Sequence, residues 1–281
     1  MSAIKLAVVQ LAMSEDEHEN IGRAGERVAE AAAQGANIVL LPELFAGRYF
    51  PARPDRASFA LSAPPEQCAA VQAMRVLAAT HGVVLPVSYF ERDGNRFYNS
   101  MIVFDANGRE LGRYRKTHIP DGPGYEEKQF FAPGDTGFQV FDTHFGKLGI
   151  AICWDQWFPE CARALTLLGA DLILYPTAIG SEPTRPELDT AAPWRRVMIG
   201  HAVANTIPIA AANRVGDEHG QVFYGTSFIA DGRGDVIAEL DRSVQGIAIA
   251  ELDLDAWQRE REWFGLLRDR RPDAYAKLTE R

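Results

Sequence analysis

Cysteine is scarce in this sequence, which has only three among its 281 residues. So few thiols cannot form the disulfide framework on which many small secreted domains depend. The segment from Met1 to Lys5 leads directly into a strand-like pattern, without the extended apolar core and cleavage site of a secretory signal. We therefore expect a reduced protein located in the cytoplasm.

Long apolar runs and excess positive charge are also lacking. Polar residues or glycine interrupt every hydrophobic stretch well before the roughly 20 residues that a membrane-spanning helix needs. The formal net charge is −9, which argues against nucleic acid or an anionic membrane as a partner. No pair of Cys or His residues has the spacing of metal ligands, so we expect no metal and no other cofactor.

Strand-like and helix-like patterns alternate along the chain. Apolar and β-branched residues at 4–11 predict a buried strand, residues 18–34 a helix, and residues 37–41 a second strand. A helix at 66–81 and a strand at 83–90 repeat this cycle. The alternation predicts an α/β fold.

The rest of the chain continues this alternation of strands and helices. The turn residues Asp93-Gly94-Asn95 and Asn107-Gly108 predict two β-hairpins. Further predicted elements are a helix at 158–168, another helix after 193, and strands at 138–143, 147–153, 171–175, 207–213, 222–230, 236–240 and 246–252. Since no linker or clear repeat interrupts the chain, we predict one α/β domain over residues 1–281, with two mixed sheets and the helices outside them.

Three predicted strands end in a polar residue that the strand itself does not need. These residues are Glu43, Lys116 and Cys153. Strand ends are held by a rigid scaffold and open towards a cleft, which is where α/β enzymes place their chemistry. Each residue alone has an ordinary structural explanation, as a helix cap, a solvated lysine or a small buried hydrophobe.

Cys153 is the strongest candidate of the three, because it lies between an apolar strand and a predicted helix. Backbone N–H groups at such a turn favour a thiolate and, later, an oxyanion. Cys68 and Cys161 fall in helical patterns and are expected in the core. Neither His118 nor His201 has a neighbour in sequence that would orient it as a base. A carboxylate can take the thiol proton instead, and an ammonium group can stabilise the oxyanion.

Around these residues the sequence resembles the nitrilase superfamily, whose hallmark is a Glu–Lys–Cys triad. The three motifs that carry the resemblance occur in the family's order: LLPE at 40–43, YRKTH at 114–118, and GIAIC at 149–153 followed by PE at 159–160. The resemblance runs from about residue 4 to residue 275. It implies the four-layer α-β-β-α sandwich of this superfamily and a covalent, thioester-type intermediate on the cysteine.

The resemblance also implies roles for individual residues. Cys153 would be the nucleophile, Glu43 the base and Lys116 the oxyanion stabiliser. A second glutamate assists the triad in such enzymes, and Glu127 in GYEEK at 124–128 matches it.

Within the superfamily the chain is similar to the branch that hydrolyses N-carbamoylputrescine. The matching segments are HIPDGPGYEEK at 118–128, CWDQWFPE at 153–160, YPTAIGSEP at 175–183 and FYGTSFIA at 223–230. This similarity implies a small carbamoyl amine as substrate, with Glu182 at its distal ammonium and Tyr49 and Trp154 as aromatic pocket walls. The main-chain N–H of Trp154 would be an oxyanion donor.

Two local differences affect the expected substrate. The branch usually has Asp-His-Trp where this chain has Ala192-Pro193-Trp194, so the exact substrate stays open. Enzymes that act on carbamoyl amino acids place an arginine shortly after the nucleophile, where this chain has Gln156-Trp157. The alternatives are an amidase or ureidopropionase-like hydrolase of another small carbamoyl or amide compound, a nitrile hydrolase, and a non-catalytic scaffold of the same fold.

The end of the chain, residues 263–281, is too charged for a core and too aromatic for a free end. We therefore expect a homo-oligomer in which this tail packs on a neighbouring subunit.

Overall fold

The computed structural model describes residues 3–280, so the expectation of no secretory signal at Met1-Ser2 and the outer limits of the predicted domain lie outside the described residues. The α-helices are α1 Glu17–Ala33, α2 Ala69–His81, α3 Pro159–Leu167, α4 Ala191–Asn205 and α5 Leu254–Phe264. The strands are β1 Ile4–Gln10, β2 Ile38–Leu40, β3 Leu85–Asp93, β4 Arg96–Phe104, β5 Glu110–Arg115, β6 Gln139–Thr143, β7 Gly146–Ile150, β8 Leu172–Thr177, β9 Ile209–Asn213, β10 Val215–Glu218, β11 Gln221–Tyr224, β12 Phe228–Ala230, β13 Val236–Glu239 and β14 Gly246–Leu252.

Most elements begin and end where their local chemistry predicts. Asp16 is the N-cap of helix α1, and its side chain accepts a hydrogen bond from the Glu19 N–H. Both predicted hairpins are confirmed, since β3 pairs with β4 and β4 with β5 in antiparallel register. The Asp93↔Arg96 pair leaves a two-residue turn, with Gly94 in the left-handed region that this turn requires.

One predicted strand is wrong. Residues 222–230 form two strands, β11 and β12, because Gly225 and Thr226 both have positive φ angles, of 58° and 57°. The break sends β11 to pair with β10 and β12 to pair with β9 and β13. Several boundaries also differ: β7 ends at Ile150, α2 begins at Ala69 after a 3₁₀ turn, and α4 begins at Ala191, before Pro193. Strand β10 was not predicted.

The strands form two large sheets. In the first, β14-β1-β2 and β3-β4-β5 are joined through Val84, which accepts from Val39 N at 3.1 Å and donates to Asn37 O at 2.9 Å. The second has the order β13-β12-β9-β8-β7-β6, with β7, β8 and β9 parallel. The parallel centre directs the carboxyl ends of these strands to one edge.

Three apolar cores separate four layers. One lies between the two sheets and includes Leu6 and Leu174, one lies between the first sheet and α1 and α2, and one lies between the second sheet and α3 and α4. This is the four-layer α-β-β-α sandwich predicted from the sequence. Within residues 3–280, no helix combines the length and apolar character required to cross a bilayer.

Candidate active site

Two of the side chains predicted at strand ends, Glu43 and Lys116, meet in the structure, and Glu127 joins them. Lys116 Nζ lies 2.9 Å from Glu43 Oε1 and 2.7 and 2.8 Å from the two carboxylate oxygens of Glu127. All three side chains are buried. Burial opposes the ammonium form, but the charges of Glu127 and Glu43 outweigh it and raise the pKa of Lys116. Lys116 is therefore held as a cation.

The two oxygens of Glu43 have different surroundings. Oε1 accepts hydrogen bonds from Lys116 and from Asn99 Nδ2, the latter at 2.6 Å. Oε2 is buried and has no hydrogen-bond partner among the described residues. A buried carboxylate oxygen without a partner is costly, and this one remains free to accept a hydrogen bond or a proton.

Glu127 occupies the other side of Lys116. It begins the 3₁₀ turn Glu127–Gln129 and accepts a hydrogen bond from the Tyr49 hydroxyl at 2.5 Å. Burial raises the pKa of Glu127 to about 7, with Lys116 opposing the shift and the charge of Glu43 adding to it. The surroundings therefore oppose the ionisation of Glu127, even though Lys116 lies beside it.

Cys153 lies in a strained turn immediately after the second sheet. Its φ angle is 43°, in the left-handed region that non-glycine residues rarely adopt, and its Sγ lies 3.7 Å from Ala178 O. Burial and the charge of Glu43 raise the pKa of the thiol, whereas Lys116 lowers it. The resting thiol is therefore neutral.

Asp155 connects the turn at Cys153 to the loop that follows Lys116. Its carboxylate accepts hydrogen bonds from Ile152 N at 2.9 Å, the Tyr114 hydroxyl at 2.7 Å and His118 N at 2.9 Å. It also lies 2.7 Å from Nδ1 of His118, whose ring stacks on Phe158. The sequence analysis missed this orienting partner of His118 because the two residues are 37 positions apart.

The residues expected to bind substrate lie in different environments. Tyr49 is only 2% exposed, and its hydroxyl is engaged with Glu127. Trp154, directly after Cys153, is 39% exposed. Glu182 is half-buried in the loop after β8, and burial raises its pKa. Of the three, Trp154 and Glu182 retain surface on which a ligand can dock, whereas Tyr49 supports Glu127.

Hydrogen bonds from Gln221 and Tyr125 hold the loop that carries Glu182. Its Ser181 carbonyl accepts from Gln221 Nε2 at 2.8 Å and from the Tyr125 hydroxyl at 3.2 Å. The Tyr125 hydroxyl in turn accepts from Gly180 N at 2.9 Å. Among the described residues, no group of three or more His, Cys, Asp or Glu side chains is arranged to hold a metal ion.

Comparison with known proteins agrees with this geometry. The family model described as carbon–nitrogen hydrolase matches residues 5–262. The chain belongs to the carbon–nitrogen hydrolase family. This membership confirms the resemblance on which the fold and the general reaction class were predicted.

Relatives of this carbon–nitrogen hydrolase span nearly all of it. An N-carbamoylputrescine amidase from Arabidopsis thaliana is 49% identical, covering 98% of this chain and 95% of its own. A citrullinase from Francisella tularensis is 47% identical over 100% of both chains. Among solved structures, a carbon–nitrogen hydrolase from Helicobacter pylori has a TM-score of 0.92 and 36% identity, with 99% of each chain covered.

A further solved relative is a mutant of the amidase from Nesterenkonia sp. AN1. It has a TM-score of 0.81 and 27% identity, with 98% of this chain and 96% of its own covered. That structure shows covalent addition of the acetamide moiety of fluoroacetamide at its active-site cysteine.

Proposed function

We propose that this protein hydrolyses N-carbamoylputrescine to putrescine, ammonia and carbon dioxide. The observation that carries the proposal is the buried cluster in which Lys116 bridges two carboxylates while Glu43 keeps one oxygen without a partner. The identity of 49% to a plant N-carbamoylputrescine amidase supports the choice of substrate.

In the first half of the reaction, Glu43 Oε2 accepts the Cys153 thiol proton as Sγ attacks the carbamoyl carbon. The carbonyl π electrons move to the oxygen, which Lys116 and the Trp154 N–H stabilise as an oxyanion. When the carbonyl re-forms, one carbon–nitrogen bond breaks and Glu43 returns the proton to the departing nitrogen. The product is an acyl enzyme of the thioester type on Cys153.

In the second half, Glu43 takes a proton from water, whose oxygen attacks the acyl carbon and displaces Sγ. The thiol regains its proton, and the carbamic acid set free loses carbon dioxide to give the second amine. One ureido group and one water thus yield one primary amine, one ammonia and one carbon dioxide. Glu127 keeps Lys116 in place throughout, because it holds Nζ through both carboxylate oxygens.

The distal end of the substrate is assigned to the loop after β8. Glu182 offers a carboxylate of a charge that suits a protonated amine, and its half-buried position reduces competition from water. The exposed Trp154 ring provides apolar surface for the aliphatic chain. Ala192 and Pro193, where the branch usually differs, lie in the first turn of α4, and Ala192 is exposed.

Citrulline is the second candidate substrate, favoured by the 47% identity to a citrullinase over the whole of both chains. Citrulline carries the same ureido group, but its distal end bears a carboxylate as well as an ammonium. Glu182 would attract the ammonium and repel the carboxylate, which is why we rank the carbamoyl amine first.

A panel of purified compounds tests both candidates. Ammonia release is measured with N-carbamoylputrescine, citrulline, a carbamoyl β-amino acid, simple amides and a nitrile. The proposal expects the highest kcat/KM for N-carbamoylputrescine. A higher value for citrulline would replace the substrate but keep the mechanism, and no turnover of any compound would overturn the enzymatic assignment.

We further propose a single catalytic domain that works as a homo-oligomer in the cytoplasm, with residues 263–281 packing on a neighbouring subunit. The exposed fractions of Trp263 and Leu278, 78% and 66%, support such a contact. Light scattering of the full chain and of a chain ending at residue 262 tests it. Equal masses for the two would contradict the role of the tail.

A further inference from the structure

Arg214 is a fully buried cation directly after β9, opposite the segment that leads away from Glu43. One terminal nitrogen of its guanidinium donates to Glu43 O at 2.7 Å and to Leu44 O at 3.0 Å. The other donates to Gly47 O at 3.2 Å. One side chain therefore binds three main-chain carbonyls within a segment of five residues.

A buried carboxylate compensates this cation and extends its contacts. Glu218 accepts from Arg214 with both oxygens, at 2.8 and 3.0 Å. Glu218 Oε2 also accepts from the main-chain N–H of Tyr49 at 2.5 Å. The Arg214–Glu218 pair thus holds both ends of the segment from Glu43 to Tyr49.

The segment needs such restraint because its backbone is strained where it leaves Glu43. Leu44 has a φ angle of 49°, a conformation that costs free energy for a residue with a side chain and persists only when its surroundings impose it. The segment also presents two side chains to the cluster around Lys116: Glu43 at one end and Tyr49, through Glu127, at the other.

We propose that Arg214, with Glu218 as its counter-ion, is the positioning residue that aims Glu43 Oε2 at Cys153 and sets Tyr49 against Glu127. The inference rests on the proposed function, since it takes Glu43 as the base. A buried ion pair is weak evidence for a gain in stability, because desolvation offsets much of its attraction. Its expected contribution here is the fixed geometry of the base.

Arg261 supplies a matched control. It is also buried, and it donates to two main-chain carbonyls, Ala170 O at 3.0 Å and Thr206 O at 3.2 Å. Neither carbonyl belongs to the segments that carry the cluster around Lys116. Replacing Arg261 therefore removes the same kind of contact without moving the base.

The experiment compares Arg214→Lys with Arg261→Lys in the full chain, measuring kcat, KM and the midpoint of urea unfolding for each. Lysine keeps the positive charge beside Glu218. Its single nitrogen cannot reach all three carbonyls that the two terminal nitrogens of Arg214 bind. Both variants should unfold at lower urea. Only Arg214→Lys should lose kcat, by about tenfold or more, while KM changes little, because a misplaced base affects the chemical step more than binding.

A further variant covers the case in which Arg214→Lys does not fold. Glu218→Gln keeps the shape of the counter-ion but weakens the pairing, and it should lower kcat in the same direction by a smaller factor. Wild-type kcat in folded Arg214→Lys, or in Glu218→Gln when the lysine variant is unfolded, would overturn the inference alone. A wild-type protein inactive on every compound of the panel would overturn the proposed function together with it.

Discussion

Arg115 and Lys116 are neighbours in sequence, yet their side chains enter two charged clusters of different design. Arg115 lies among Glu91, Asp93 and Asp135, where it makes four hydrogen bonds. Lys116 lies between Glu43 and Glu127. Because successive side chains point to opposite sides of an extended backbone, adjacent cations can serve different purposes.

The clusters differ in whether their buried carboxylate is saturated. Both oxygens of Glu91 accept hydrogen bonds, from Arg115, Arg113 and Ser100. Glu43, equally buried, has one oxygen engaged and one without a partner among the described residues. The hydrogen-bonding capacity of Glu91 is thus used within its cluster, whereas Glu43 keeps one oxygen that remains able to accept a proton.

The largest effect is expected when the Cys153 thiol, the nucleophile of the proposed mechanism, is removed. Cys153→Ala should lower kcat by roughly a thousandfold or more, since no covalent intermediate can form. Its unfolding midpoint should stay close to that of wild type, because a small buried side chain is replaced by another. Ammonia release and urea unfolding measure the two quantities. Substantial turnover by the alanine variant would sink the nucleophile assignment.

Removing either charged partner should come next. Glu43→Gln and Lys116→Met should each lower kcat/KM by roughly a hundredfold or more, through loss of proton transfer or of oxyanion stabilisation. Initial rates with N-carbamoylputrescine provide the measurement. If either variant turned over substrate at nearly the wild-type rate, its residue would have no part in the chemistry.

The saturated cluster should show the opposite response. Glu91→Gln should lower the free energy of unfolding by about 3 kcal/mol, because it removes the buried carboxylate of Arg115 and leaves only the more exposed Asp93 and Asp135 beside that charge. The kcat of the folded protein should be unchanged. Urea unfolding and initial rates on the same preparation test both points. A large loss of kcat with full stability would erase the distinction between the clusters.

A smaller effect is expected at the half-buried carboxylate beyond both clusters. Glu182→Gln should raise KM for N-carbamoylputrescine by about tenfold, the loss of one charge-assisted contact of about 1.4 kcal/mol. It should matter little for a carbamoyl alkylamine that lacks the distal amine. Equal losses with the two compounds would mean that Glu182 supports its loop and does not contact the substrate.

The smallest expected effect is on the pH dependence of stability. The pKa of Glu127 is raised by burial from 4.5 to about 7, so the folded state binds a proton that the unfolded state has released between these values. The contribution of Glu127 to stability therefore falls as pH rises from about 4.5 to 7. The Arg115 hydrogen bond lowers the pKa of Asp135, whose contribution is lost as pH falls.

Urea unfolding compares wild type with Glu127→Gln between about pH 4 and 8, and with Asp135→Asn between about pH 2 and 5, because the contribution of Asp135 is lost only as pH falls below its ordinary pKa of 3.8. The advantage of wild type over Glu127→Gln should shrink with rising pH, and its advantage over Asp135→Asn should grow. If both stability advantages changed in the same direction with rising pH, the two clusters would not differ in how their contribution to stability depends on pH.

The sequence located the fold and the three strand ends because these depend on local signals. Apolar periodicity predicts strands and helices one segment at a time, and Gly94 or Asp16 sets a turn or a cap through its own backbone or side chain. The prediction of a single strand at 222–230 was wrong because it relied on the apolar pattern alone. That pattern does not reveal that Thr226 adopts a positive φ angle.

The family motifs added Glu127, which no local pattern distinguishes from the adjacent Glu126. They did not reveal that the Tyr49 hydroxyl is engaged with Glu127, nor that Asp155 orients His118. Such contacts join residues far apart in the chain, and hydrogen-bond geometry has no counterpart in sequence spacing.

The sequence by itself thus determined the layered α/β architecture, the family and the order of the candidate catalytic residues. Tertiary structure alone decided which carboxylate oxygen is left without a partner and which cation binds the main chain at Glu43. Arg214 reaches the carbonyl of Glu43 across 171 positions of sequence. The physical reason is that burial and hydrogen-bond saturation arise only when distant strand ends are packed against one another.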